Sequence, residues 1–124
     1  MVKKFQMKSE LYKTTGGTHS AALSDGENIL IFHEDIGRHN AVDKVIGDAF
    51  LQQIRLDDKI LITSGRVSSE ILLKVAKGGI PLLVAISAPT DMAVELANKL
   101  GITLIGFARG KRMNVYTHEE RIKV

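Results

Sequence analysis

Residues 59–87 read KILITSGRVSSEILLKVAKGGIPLLVAIS. Within it an apolar strand, Lys59 to Thr63, gives way to SGRVSSE and then to a helix carrying Ile71, Leu72 and Val75, which Gly78 and Gly79 end before a second apolar strand from Pro81 to Ser87. Strands that are apolar at nearly every position and are separated by one helix are parallel strands buried on both faces, joined by right-handed crossovers. The unit repeats. SAPTD leads into a helix with Met92, Ala93, Leu96, Ala97 and Leu100, Gly101 ends it, and Ile102 to Phe107 forms a third strand followed by ARGKR.

Working outward toward the amino terminus, the periodicity predicts another helix, preceded by HEDIGRHNA at residues 33–41. Its apolar face is Ala41, Val42, Val45, Ile46, Ala49, Phe50 and Ile54, and Gly37 marks its start. Before it, Ala21 to Leu23 and Ile29 to Phe32 flank Asp25-Gly26, a hairpin signal, so two antiparallel strands are expected. Residues 2–13 suit a further helix, with Phe5, Met7, Leu11 and Tyr12 as its buried side. Met113 to Tyr116 adds a short edge strand, and the charged tail from His118 is expected to be exposed. The fold class expected is α/β: a three-layer α/β/α sandwich whose mixed sheet has an antiparallel hairpin followed by parallel βαβ units, all in one domain over residues 1–124.

Composition narrows the function. The 124 residues are 44% hydrophobic and 25% charged, with 17 Lys and Arg against 14 Asp and Glu. A net charge of +3 is too small for a nucleic-acid surface but suits one local anion site. No apolar run reaches the roughly 20 residues of a membrane span, and MVKKFQMKSEL lacks a signal-peptide core, so the cytoplasm is the expected location. Cysteine is absent. That excludes thiolate nucleophiles, persulfide chemistry on this chain and every Cys-based zinc site.

In such sheets ligands bind beyond the carboxyl ends of the strands, which here are SGRVSSE, SAPTD and ARGKR. If the strand entering HEDIGRHNA ends on the same edge, then Glu34, Asp35, Arg38, His39 and Asn40 join Arg66, Arg109, Lys111 and Arg112 around one cleft. Arginine forks and helix N-termini together are what a phosphate or diphosphate needs. Ser64, Ser68, Ser87 and Thr90 could add hydroxyl donors, or merely cap helices. Asp35 could likewise cap its helix and pair with Arg38, which would leave His39 and Asn40 unexplained. Gly16 and Gly17, followed by His19, serve either a tight turn or a close ligand approach. The histidines at 19, 33, 39 and 118 follow no recognised zinc spacing, and no Walker loop, GxGxxG or GxSxG elbow is present.

TGGTHSAAL, EDIGRHNAVDKVIG, SGRVSSE, SAPTDMAVELA and ITLIGFARGKRMNVYT, in this order, closely resemble the carboxyl-terminal domain of the FdhD family, formate dehydrogenase accessory proteins described as sulfur carriers for the molybdenum cofactor. The resemblance implies a cytidine-deaminase-like fold that binds the guanine dinucleotide form of the molybdopterin cofactor. It implies sulfur passing from a cysteine desulfurase, through the family's cysteines, to that cofactor before insertion into formate dehydrogenase, and it leaves room for a homodimer. In zinc deaminases H-x-E and P-C-x-x-C open two successive helices. Here those starts read RHNA and SGRVSSE, so His39 matches the ligand histidine, Ala41 replaces the glutamate and no thiolates follow. No zinc is expected.

Full-length members also carry a Cys-x-x-Cys loop upstream. Without it this chain is expected to be an excised domain, a natural short form or one half of a split protein. The alternative function is a stand-alone guanine-nucleotide-binding module in regulation or delivery, and a metal-assisted deaminase comes third. Guanine presents two adjacent N–H donors that one carboxylate can accept. Asp91 is the candidate reader, equally readable as a helix-start residue, with Glu34 and Asp35 next.

Overall fold

The computed structural model describes residues 19–109 and 112–118. Along the chain lie β1 (His19–Ser24), β2 (Ile29–Asp35), α1 (Arg38–Leu51), β3 (Ile60–Thr63), α2 (Ser69–Lys77), β4 (Leu82–Ala85), α3 (Asp91–Leu100), β5 (Thr103–Arg109) and β6 (Arg112–Thr117). The strands form one six-stranded sheet in the order β2-β1-β3-β4-β5-β6. β1 is antiparallel to β2 and to β3, β3, β4 and β5 are mutually parallel, and β6 returns antiparallel along β5. The architecture is therefore α/β with a mixed sheet, an antiparallel hairpin followed by parallel βαβ units.

The hairpin turn forms because the Asp25 carboxylate accepts the N–H groups of Glu27 and Asn28 at 2.9 and 2.8 Å, while Gly26 takes a φ of 104°. From β2 onward each crossover moves the chain in one direction across the sheet. Right-handed crossovers that never reverse put every connecting helix on the same face, and α1, α2 and α3 do pack together there. Leu61, Leu83 and Leu104 point into that layer against Ala41, Val42, Val45 and Ala49 of α1, Ile71, Leu72 and Val75 of α2, and Ala93 and Ala97 of α3. Truncating one of those leucines to alanine costs about 2–5 kcal/mol through lost burial and a residual cavity.

The alternate positions Ala22, Ile62, Val84 and Ile105 form a second cluster on the opposite face, and none is more than 3% exposed. The parallel strands are thus buried on both faces, as their apolar runs predict. The helix expected over residues 2–13 lies outside the described residues.

Several boundaries differ from expectation. β2 continues through His33, Glu34 and Asp35, because all three pair in register with β1, and the turn shrinks to Ile36 and Gly37. α1 stops at Leu51, which leaves Ile54 beyond it. Its buried stripe is Ala41, Val42, Val45 and Ala49, so Phe50, one step of about 100° past Ala49, turns to solvent and is 81% exposed. Met92 and Leu100 of α3 are also exposed, for the same reason: the stripe there is only Ala93 and Ala97.

Candidate functional site

β2, β3, β4 and β5 all run the same way, so their carboxyl ends share one edge of the sheet, where β1 and β6 also begin. The amino termini of α1, α2 and α3 open on that edge too. His19, Glu34, Asp35, Arg38, His39, Asn40, Ser64, Arg66, Ser68, Ser87, Thr90, Asp91, Arg109 and Arg112 therefore lie along one border of the molecule. Sequence spacing alone could not place β2 there; its pairing with β1 does. Gly16 and Gly17 lie outside the described residues.

The border is stitched together by short polar contacts. Ser20 and Ser64 exchange two bonds: the Ser20 N–H donates to Ser64 Oγ at 2.8 Å, and the Ser64 N–H donates to the Ser20 carbonyl at 2.9 Å. Ser87 Oγ donates to the Ser64 carbonyl at 2.9 Å, and the Thr90 N–H donates to the Val67 carbonyl at 2.9 Å. The loops after β3 and β4 thereby run side by side, with Val67 and Pro89 bridged in parallel. On the far side, a Cβ on Gly106 would stand 2.9 Å from Pro89 Cδ and 2.8 Å from Tyr116 Cε2, so only glycine lets the β4 loop rest on β5 and β6.

The helix starts are not alike. Ser68 Oγ accepts from the Ile71 N–H at 3.3 Å and Thr90 Oγ1 from the Ala93 N–H at 3.1 Å, so both side chains cap their helices, as the stability reading of these hydroxyls anticipates. α1 begins at Gly37, has no side-chain cap and carries no acid in its first turn. Its opening N–H groups and positive dipole end thus meet no capping side chain and no first-turn carboxylate.

Asp35 neither caps α1 nor pairs with Arg38. Its Oδ1 accepts from the Gly37 N–H at 3.0 Å and the Asn40 amide at 3.3 Å, and its Oδ2 meets Lys44 Nζ at 2.7 Å. Lys44, nearly two turns beyond Arg38, takes the partnership and also donates to the Glu34 carbonyl at 3.2 Å. The Lys44 ammonium and then the Gly37 N–H hold the Asp35 carboxyl down at about 2. Both Asp35 oxygens are thereby engaged. Asn40, otherwise unexplained, completes this bracket.

Arg38 is half-buried and crosses Gly65: a Cβ there would lie 2.9 Å from Arg38 Cβ, 3.3 Å from its Cδ and 3.5 Å from His19 Nδ1. Arg66 points outward and is exposed, as is Asp91, the first residue of α3. Arg109 and Arg112 are register partners where β5 ends and β6 begins. Glu34 takes a long 3.4 Å bond from Ser20 Oγ.

The histidines disperse. His33 Nε2 lies 2.8 Å from Asp48 Oδ2, joining β2 to α1, and this contact, followed by the Gln52 amide, lowers the Asp48 carboxyl. His118 sits at the opposite edge against the Asn98 carbonyl at 2.8 Å. Among the described residues no group of three or more His, Cys, Asp or Glu side chains is arranged to hold a metal ion. Ser20, Gly65 and Gly106 are the contributors that sequence reasoning missed. What crosses Gly65 and Gly106 comes from other elements, so no local pattern marked them.

Three comparisons place this geometry. The model of the FdhD/NarQ family matches residues 1–123. Among curated relatives, the sulfur carrier protein FdhD of Bacillus pumilus is 51% identical over 98% of this chain and 47% of its own length, and that of Bacillus subtilis is 48% identical over 99% and 47%. The chain spans about half the length of the curated relatives it matches. A crystal structure from Desulfotalea psychrophila, assigned as a formate dehydrogenase accessory protein, superposes with a TM-score of 0.90 at 34% identity over 98% of this chain and 53% of the other. A guanine deaminase from Nitrosomonas europaea, at 15% identity, a TM-score of 0.57 and coverage of 72% and 64%, shares the fold alone. The sheet and its helices are cytidine-deaminase-like.

Proposed function

Because this chain belongs to the FdhD/NarQ family, we propose that it is the cofactor-binding domain of a formate dehydrogenase accessory sulfur carrier, and that its carboxyl edge holds the guanine dinucleotide form of the molybdenum cofactor by its phosphates. The observation that carries this reading is the convergence of β2, β3, β4, β5 and the uncapped start of α1 on one edge. A diphosphate fits that donor set. The first turn of α1 offers N–H groups and no competing acid, Arg38 lies over Gly65, and the pairing of β5 with β6 brings Arg109 and Arg112, two further guanidinium-bearing residues, to the same border. Ser68 and Thr90 accept from their own helices, so each hydroxyl proton is still available to a phosphate oxygen.

Zinc does not fit. Ala41 stands where a deaminase needs its acid/base glutamate, the chain has no cysteine, and Asp35 and Asp48 are committed to lysine, backbone and histidine partners. A deaminase-like cleft stripped of metal ligands can hold a guanine nucleotide without transforming it.

The bound cofactor is the sulfur acceptor, and the cysteine desulfurase the source. A carrier must hold sulfur on a thiolate, which this chain lacks, so its own residues bind and orient the cofactor while a cysteine-bearing partner segment supplies the transfer. Formate dehydrogenase is the recipient, in the cytoplasm.

The test is calorimetric titration with GDP, ADP and the guanine dinucleotide cofactor. GDP is expected to bind more tightly than ADP, and alanine at Arg109 to weaken GDP by roughly 2 kcal/mol, as loss of a bidentate arginine does. Arg66 is exposed and its removal should cost less. Equal binding of GDP and ADP, or no loss in either arginine variant, would move the nucleotide elsewhere.

A further inference from the structure

We propose that Gly65 is a positioning residue for Arg38: the absence of a side chain at the end of β3 is the seat across which the arginine reaches the phosphate-binding border beside His19. The inference rests on the nucleotide reading and adds a residue that touches no ligand itself. It begins with a distance. An ideal Cβ on Gly65 would stand 2.9 Å from Arg38 Cβ, 3.3 Å from Arg38 Cδ and 3.5 Å from His19 Nδ1. The φ of Gly65 lies outside the left-handed region, so alanine there is a matter of space and not of backbone strain.

The nearest atom decides the consequence. Were the clash with the guanidinium tip, a rotamer change would relieve it; at Cβ, the root of the side chain, the backbone of one element must give. Neither element is free to do so. Ser64 is tied to Ser20 by bonds of 2.8 and 2.9 Å and to Ser87 by one of 2.9 Å, and the Gly65 N–H itself donates to Thr63 Oγ1 at 3.2 Å. The first turn of α1 is held through Gly37, Asn40 and Lys44, all gathered by Asp35. A methyl group at position 65 therefore pushes two braced bodies apart by tenths of an ångström at the point where Arg38 leaves its helix. Over the length of an arginine side chain that tilt grows, and bidentate geometry toward an oxyanion does not survive it.

The experiment is a double-mutant cycle read by GDP titration on the unaltered chain, Gly65→Ala, Arg38→Ala and the pair. Gly65→Ala is expected to weaken GDP about tenfold. In the Arg38→Ala background it should cause no further loss, although the thermal midpoint still falls because the Cβ contact persists. A purely structural role predicts the same tenfold loss in both backgrounds, and that result overturns the proposal. So does wild-type affinity in Gly65→Ala, or in Arg38→Ala while GDP still binds.

If GDP fails to bind the unaltered chain, the proposed function is what fails. The positioning is then read from the Arg38 Nε–Hε resonance, and no shift on introducing alanine refutes it. Should Gly65→Ala not fold, a nuclear Overhauser contact between the Gly65 Hα and Arg38 Hβ protons of the unaltered chain decides; its absence refutes the seat.

Discussion

Ser64→Ala is the perturbation whose cost the geometry defines best. Its Oγ is the acceptor for the Ser20 N–H at 2.8 Å, and Ser20 is only 4% exposed. Removing that oxygen leaves a backbone donor buried and unpaired, which costs about 1–3 kcal/mol; the exchange of carbonyl and N–H between the same residues survives, so we take a value near the middle, about 2 kcal/mol. With a urea slope of about 2 kcal/mol per molar for a chain of this size, the unfolding midpoint should fall by about 1 M at constant slope. The control is Ser68→Ala, which removes an ordinary helix cap and should cost about 1 kcal/mol. Urea melts of both variants followed by circular dichroism make the comparison. A Ser64→Ala loss below about 0.5 kcal/mol, or one smaller than that of Ser68→Ala, would show that water replaces the lost acceptor and that the β1–β3 border is not braced as argued.

Acid provides a second check. Asp35 is held at about 2 against an ordinary 3.8, so its bonds to Lys44, Gly37 and Asn40 stabilise the fold fully above pH about 4 and are lost as pH falls from there through 2. Denaturation midpoints at pH 5, 4, 3 and 2 should converge between the unaltered chain and Asp35→Asn; parallel curves would refute the linkage. Asp91→Asn is expected to erase the preference for GDP over ADP, measured by the two calorimetric affinities, since Asp91 is exposed at this edge as the first residue of α3; unaltered discrimination would pass the role to Glu34. In cells lacking the full-length carrier, this chain alone should leave formate dehydrogenase inactive, and co-expression of a cysteine-bearing amino-terminal half should restore it. Recovery with the cysteine-free chain alone would replace sulfur carriage by chaperone-like delivery. Purified chain should hold no zinc after dialysis against a mild chelator; one zinc per chain by elemental analysis would revive the deaminase reading.

The chain order of strands and helices was legible because its signals are local. KILIT and PLLVAIS are apolar at nearly every position, and Ser68, Thr90 and Gly101 punctuate helices through bonds and backbone angles within a few residues of themselves. That the strands share one carboxyl edge followed from their being parallel, which single-helix connections between apolar strands imply. Partner choice among long side chains was not legible. Asp35 pairs with Lys44 and not Arg38 because β2 runs on to Asp35 and sets the approach of α1, a consequence of pairing with His19 in a strand sixteen residues away by number. Phe50 and Met92 looked like core by apolarity, yet the stripe that is buried depends on which face meets the sheet. Gly65 and Gly106 carry no local signal for what crosses them, since Arg38, Pro89 and Tyr116 come from other elements. By itself the sequence determined the elements, their handed connections and the inventory of arginines, hydroxyls and helix starts at one edge. Only tertiary packing decided which of those groups brace the border and which stay exposed, because burial and contact are properties of the assembled surfaces and not of neighbours along the chain.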